Sequence, residues 1–441
     1  MSKKVLIVCY YWPPAGGPGV QRWLKFVKYL PDFDIEPIVY TPENPKYPIV
    51  DASMIAEVSD SVTVLKQPIK EPYRFASLLS RLPFSRRETV KQLSSGIVPK
   101  ATKQTLLQRL LLFIRGNFFI PDARVGWVKP SVRFLENYIK TNEIDTVITT
   151  GPPHSMHLIG MKLKAKITID ITKKLHWIAD FRDPWTTIGY HDKLKMTERT
   201  QRKHKELEHR VLTTADQVIV TSPTTKEEFS TITKKPITVI TNGFDTESHQ
   251  EVPSSNRFTI SHIGSLLSER NPLILWKVLD ILVREYAPFR EQFELKLVGK
   301  VSKEVVDVIK SFGLEKYLTL VGYVSHQEAI ALQCEASVLL LIEIDLEITK
   351  GIIPGKVFEY LAAKRPILGL GPKDADVREI ITTTQSGYYF EYTEEEALKE
   401  AILYLFHNHT SKKWTEGREA YISKYHRKQL TQVLATCIHS L

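Results

Sequence analysis

From Lys3 onward the chain alternates two apolar patterns. "KKVLIVCYYW" is a continuous apolar run, the signature of a strand buried on both faces. Val20, Trp23, Leu24 and Val27 then fall at i, i+3, i+4 and i+7, which predicts an amphipathic helix. "IEPIVYTP", "SVTVLKQP", "IDTVITTGPP", "HWIADFRDPW", "QVIVTSP" and "ITVITNGFD" predict further strands, so the first half reads as a parallel sheet covered by helices. The series restarts at "RFTISHIGSL". "NPLILWKVLDILVREY" is a helix with Asn271 as cap and Pro272 at its first position. "FELKLVGK", "LTLVGYVS", "ASVLLLIEID" and "PILGLGP" are strands, with helices "HQEAIALQCE" and "KVFEYLAAKR" among them. The pattern predicts an α/β chain of two doubly wound domains facing a cleft. The expected bounds are 1–245, 246–415 and a final helical segment 416–441, with a polar, turn-rich joint near 242–256. Residues of about 70–130 break the rhythm. "RFASLLSRLPF" and "KQTLLQRLLLFIRGNFFIP" read as helices inserted over the first domain.

Composition leaves that picture intact: 441 residues, 43% hydrophobic and 25% charged, are ordinary for a globular two-domain chain. No apolar run reaches the roughly 18 residues of a spanning helix. The first residues lead into a strand without a cleavage site, which predicts a cytoplasmic protein. Cys9, Cys334 and Cys437 are far apart and lack metal spacing. Charge changes the picture more. The net +10 is uneven: residues 1–222 carry 34 basic against 21 acidic side chains, and Lys66 to Arg133 alone carry 14 against 3. Such a block attracts anionic lipid or phosphorylated substrates. Together with the apolar clusters at Leu110–Ile114 and Phe118–Ile120 it points to an anionic membrane surface, peripheral rather than spanning.

Candidate chemistry sits where strands end. "PPAGGPGVQR" has Gly16, Gly17 and Gly19 between a strand and a helix, but Arg22 stands where a dinucleotide fingerprint needs its third glycine. No acid ends the second strand, and no Gly-Lys-Ser/Thr follows as a P-loop requires. The loop remains either a plain turn or a helix N-terminus open to an anion or a hydroxyl-rich group. His154 follows a diproline at a strand end, with His157 close behind and no third metal ligand in view. Asp180, Arg182 and Asp183 in "ADFRDPW" suit acid–base work or polyol positioning, against a structural Asp–Arg pair. In the second half, Gly264 at a strand end and Arg270 suit a diphosphate. Lys356 at the start of a helix makes an anion site, and Glu359 one turn on suits ribose hydroxyls, against a surface Lys–Glu pair.

These pieces resemble, in order and spacing over nearly the whole chain, the GT-B glycosyltransferases of the retaining family 4 group. "GGPGVQR" is similar to the family's Gly-Gly loop and "TNGFD" to its hinge. "GSLLSERN" resembles its Gly-Arg motif, "VGYVSHQE" its base-binding loop, and "KVFEYLAAKRPIL" the helix with its second glutamate. The resemblance implies two Rossmann-like domains, acceptor-binding then donor-binding, and a last helix, "YHRKQLTQVLATCIHSL", crossing back. Two departures stand out. The family's first glutamate, eight positions before Glu359, is Gly351, and the motif arginine is Ser265. The "P-G-K-x-x-E-Y" form occurs in relatives acting on bacterial surface polysaccharides.

The expected activity is therefore transfer, with retention, of a hexose or related sugar from a nucleoside-diphosphate sugar to a polysaccharide or lipid-linked acceptor, as in lipopolysaccharide and other cell-surface glycans. Arg270 and Lys356 would neutralise the leaving diphosphate, His154 would meet the transferred sugar and Asp183 would orient the acceptor hydroxyl. Gly17, Gly264, Tyr323 and Glu359 would complete the donor site; Gly16, Arg22, Asp180 and Arg182 would meet the acceptor. Neither cofactor, metal nor nucleic acid is called for. A nucleotide-sugar epimerase and a non-catalytic module binding glycan precursors are the alternatives; a dehydrogenase is least favoured, since its fingerprint fails.

Overall fold

The computed structural model describes residues 2–71, 106–167, 174–187, 194–245, 257–410 and 418–441. The stretch "RFASLLSRLPF" and most of the joint, residues 246–256, lie outside the described residues. The chain divides into two compact units, Met1–Thr241 with Leu430–Leu441, and Asn242–Gln429.

The first unit is built on seven parallel strands: β1 (Lys3–Val8), β2 (Ile35–Pro42), β3 (Thr63–Gln67), β4 (Thr146–Gly151), β5 (His176–Phe181), β6 (Gln217–Val220) and β7 (Ile237–Val239). Their order is β3-β2-β1-β4-β5-β6-β7. The unbroken apolar run of β1 follows from burial on both faces. Leu6 and Val8 pack with Trp127, Val132 and Leu135. Val5 and Ile7, on the opposite face, pack with Val20, Trp23, Leu24 and Val27 of helix α1 (Pro18–Tyr29) and with Leu430, Leu434 and Ile438 near the C-terminus. Helix α2 (Leu106–Phe118) leaves Leu110, Phe113 and Phe118 exposed and buries Leu112. It is pinned by Asn117, whose Oδ1 accepts from Thr197 N and Thr200 Oγ1. Helix α3 (Val125–Thr141) belongs to the sheet's own cover, with Trp127, Val128, Val132, Leu135 and Ile139 buried.

The second unit repeats the plan with six parallel strands: β8 (Phe258–Ile263), β9 (Phe293–Val298), β10 (Leu318–Gly322), β11 (Val338–Ile342), β12 (Ile367–Leu370) and β13 (Gly387–Phe390), ordered β10-β9-β8-β11-β12-β13. Both sheets are doubly wound, Rossmann-like layers. Strand order reverses between β1 and β4 and again between β8 and β11, so ligand sites are expected beyond the carboxyl ends of those strands. One local expectation is corrected. Helix α4 (Leu273–Glu285) starts from Pro272 without a side-chain cap, because the Asn271 amide oxygen accepts from Trp276 Nε1 at 2.7 Å instead.

Candidate active site

In the second unit, the loops after β8 and β11 meet the start of helix α5 (Gly355–Ala362), whose first residue follows Pro354 and has no side-chain cap. Its exposed N–H groups and dipole favour an anion. Lys356 lies across Gly264, where a Cβ would stand 2.6 Å from Lys356 Cε; Gly264 also has φ +125°. Both facts demand glycine there. The Gly264 N–H itself is spent on Val298 O, so this residue supplies room rather than a donor. His262, buried on β8, fixes the lysine. Its Nδ1 lies 3.0 Å from the Leu340 carbonyl, which can only accept. Nδ1 therefore carries the proton, and Nε2 accepts from Lys356 Nζ at 3.2 Å. Burial, with Lys356 adding to it, lowers the His262 pKa to about 3, so the ring is neutral.

Arg270 reaches the same place. Its Nη2 is 3.7 Å from Glu343 Oε2, an ion pair too long for a hydrogen bond, and its buried Nε has no hydrogen-bond partner among the described residues. Burial lowers Lys356 to about 8, helped by Arg270 and opposed by Glu343 and Glu359. Burial raises Glu343 to about 7 against the pull of Arg270 and Lys356. One turn along α5, Glu359 Oε2 accepts from buried Gln333 Nε2 at 2.9 Å, which sets the carboxylate's direction. Tyr323, after Gly322 at φ +80°, is 94% exposed and offers an aromatic face. Two cations, one with unused donors, an open helix start and an oriented carboxylate can hold a diphosphate and a ribose.

In the first unit, the loop after β1 ends in Gly17 at φ +92°, with nothing closer than 3.9 Å to a Cβ there; α1 starts without a side-chain cap. Arg182, after β5, binds this loop to the loop after β4. It donates from Nε to Gly151 O at 3.3 Å and from Nη2 to Pro152 O, and its Nη1 fills the space a Cβ on Gly19 would need. His154 is buried and stacked on Trp185, centroids 4.8 Å apart. The helix behind it, Ser155–Ile167, is capped by Asp122, which accepts from Ser155 N and Oγ, each at 2.8 Å. Burial raises the Asp183 carboxyl above the ordinary aspartate range, outweighing the Arg182 guanidinium beside it.

The matching family models are "Glycosyl transferases group 1" over residues 257–408 and "Glycosyltransferase Family 4" over residues 98–248. The chain is a family 4-like glycosyltransferase of GT-B fold. Its architecture agrees with solved structures of low sequence identity. A glycosyltransferase from Rickettsia africae matches with TM-score 0.60 at 13% identity, covering 100% of this chain and 98% of the other. Anabaena HepE in complex with UDP matches with TM-score 0.60 at 15% identity, covering all of both chains. The lipopolysaccharide outer core galactosyltransferase WaaB matches with TM-score 0.59 at 12% identity over 99% of both. Among curated proteins no sequence matches.

Two residues expected at the transferase's acceptor, Arg22 and Asp180, are spent on each other. Arg22 Nη2 and Asp180 Oδ1 form a fully buried pair at 2.9 Å. The other Asp180 oxygen accepts from Trp23 Nε1 and Thr150 Oγ1, each at 2.8 Å, and Arg22 Nη1 donates to Thr241 O. Burial would raise Asp180, but Arg22 and these donors hold it lowered. This is packing glue rather than an acceptor contact. Gly16 is glycine because Ile49 and Asp51 crowd it: a Cβ would stand 2.9 Å from Ile49 Cγ2. The structure brings Gly264, Arg270, Lys356 and Glu359 together in the second unit; in the first it sets Arg182 against Gly19 and Gly151, with His154 beside Gly151, while a Cβ on Gly17 would meet Ile49. His262, Glu343, Gln333 and Asp122 escaped the sequence reading. Glu343 had one available signal, a charged residue directly after the apolar strand "VLLLI".

Proposed function

We propose that this glycosyltransferase takes a hexose-type sugar from a nucleoside-diphosphate donor, with retention, and passes it to a polysaccharide or lipid-linked acceptor of a cell-surface glycan. The observation that carries the reading is the pair Arg270–Lys356 at the open start of α5: a guanidinium whose buried Nε has no hydrogen-bond partner among the described residues, beside an ammonium held by a neutral histidine. The pair would neutralise the diphosphate as it leaves, where charge grows in the transition state, so the reading needs no metal cofactor. Glu359 would accept from ribose hydroxyls and Tyr323 would face the base. The open backbone at Gly17, with His154 and Asp183, would serve the transferred sugar and the acceptor hydroxyl, and Arg182 would shape that loop. UDP in the Anabaena HepE structure and UDP-2-fluoro glucose in the E. coli trehalose-6-phosphate structure make uridine sugars the first donors to try. Incubation with labelled UDP-, GDP- and dTDP-sugars and membrane extract tests the reading. Label passing to an acceptor supports it. Isomerised donor, or binding without transfer, refutes it in favour of an epimerase or a binding module.

A peripheral site of action on the inner face of the membrane accompanies this proposal. It rests on the basic stretch from Lys66 to Arg133 and on Leu110, Phe113 and Phe118, exposed on α2. Among the described residues no helix is long and apolar enough to cross a membrane. Flotation with anionic liposomes at low and high salt is expected to show salt-sensitive binding; none at low salt refutes the membrane assignment.

A further inference from the structure

Glu343 has no task in the reading above, yet the fold holds it firmly. It is 5% exposed, Tyr392 Oη donates to its backbone oxygen at 2.8 Å, and Gly371 is close enough that a Cβ there would stand 2.9 Å from Glu343 Cβ. Its carboxyl faces Arg270 without reaching hydrogen-bonding distance, and Lys356 acts on it from α5. From β13 and the residues after it come the phenols of Tyr389 and Tyr392, both raised by burial and so neutral. Asp345, in the same loop, acts on those two phenols, and Glu359 acts on Lys356. A buried carboxylate beside two cations occupies the electrostatic place of a phosphate. A bound diphosphate would add like charge to the same low-dielectric pocket, and one of two crowded anions then neutralises.

We propose that Glu343 is a built-in counter-ion for the empty nucleotide site, which balances Arg270 and Lys356 until a nucleoside diphosphate arrives and then takes a proton from solvent as the phosphate oxygens replace it. The inference rests on the donor-site reading above. The step forms one O–H bond on Glu343 at the expense of a buffer acid and needs no other reactant. It makes donor binding a proton-uptake reaction.

Calorimetric titration of UDP-glucose, GDP-mannose and dTDP-glucose into the full-length protein, in PIPES and in imidazole at equal pH, reads that uptake. Since Glu343 titrates at about 7, binding at pH 7 is expected to take up about half a proton, falling to about a tenth at pH 6. Lys356, at about 8, adds only about a tenth at pH 7. Glu343→Gln is expected to bind at least as tightly with only the small lysine contribution. Wild-type binding without uptake, uptake that does not change with pH, or a Gln variant that still takes up about half a proton overturns the counter-ion and leaves the donor site standing. No binding of any nucleotide-sugar overturns both. The wild-type pH series decides the matter even if the variant does not fold.

Discussion

Asp180→Asn separates a structural carboxylate from an acceptor-binding one. The side chain is fully buried and receives Arg22 Nη2 at 2.9 Å, Trp23 Nε1 at 2.8 Å and Thr150 Oγ1 at 2.8 Å. The amide keeps the shape but leaves the Arg22 guanidinium buried without its counter-charge and turns one acceptor into a donor facing donors. Breaking a buried pair from one side costs about 3–5 kcal/mol. With a urea slope of about 3 kcal/mol/M, the upper end for small proteins, the first unit's midpoint should fall by about 1–1.7 M. Tryptophan fluorescence reads this directly, since Trp23 is itself a partner. The folded pKa is lowered, so the pair's contribution is present above the unfolded value of about 3.9 and is lost as pH falls through the folded value. The wild-type and variant midpoints should therefore converge only in acid. A midpoint shift below about 0.3 M at pH 7, with acceptor KM raised, would refute the structural assignment.

Three further outcomes are expected. Gly264→Ala places a methyl 2.6 Å from Lys356 Cε at φ +125°; it should cost about 1–3 kcal/mol in unfolding free energy and weaken nucleotide-sugar binding in the same preparation, as checked by calorimetry. Donor affinity should fall as pH rises from 6.5 to 8.5, because the bound anion favours the protonated forms of both Glu343, at about 7, and Lys356, at about 8; affinity that rises over this range would contradict the site's charge assignment. Asp122→Ala removes both hydrogen bonds at the start of Ser155–Ile167; it should cost about 1–2 kcal/mol, seen as an earlier urea midpoint.

The parts of the fold legible in the sequence are those where local pattern and final environment coincide. "VLIV" and "VLLL" are apolar on both faces because the finished sheets bury both faces, so periodicity alone revealed β1 and β11. The four-residue β13 is too short to show a period, and Gly387 and Tyr388 are only half-buried. The placement of Lys356 and Glu359 on one helix start was legible because a helix start and a spacing of three residues are local features. Arg22 and Asp180 are 158 residues apart, and no local pattern says that they meet; each read as a polar residue at a strand or helix end. Glu343 is buried against Gly371, after β12, and Tyr389 and Tyr392, on and after β13, elements distant in sequence, so its exposure could not be read from its neighbours in the chain. His262 sits within an apolar strand, and its role comes from the Leu340 carbonyl and Lys356, both distant in sequence.

The central claim is that Arg270 and Lys356 bind the donor's diphosphate. Calorimetric titration of UDP, GDP and dTDP into wild-type protein and into the Arg270→Ala and Lys356→Met variants tests it most directly. Each charge-assisted contact is worth roughly 1.5–3 kcal/mol, so each substitution should weaken binding about 10- to 100-fold while the unfolding midpoint of the second unit stays near wild type. Unchanged nucleotide affinity in both variants would contradict the account.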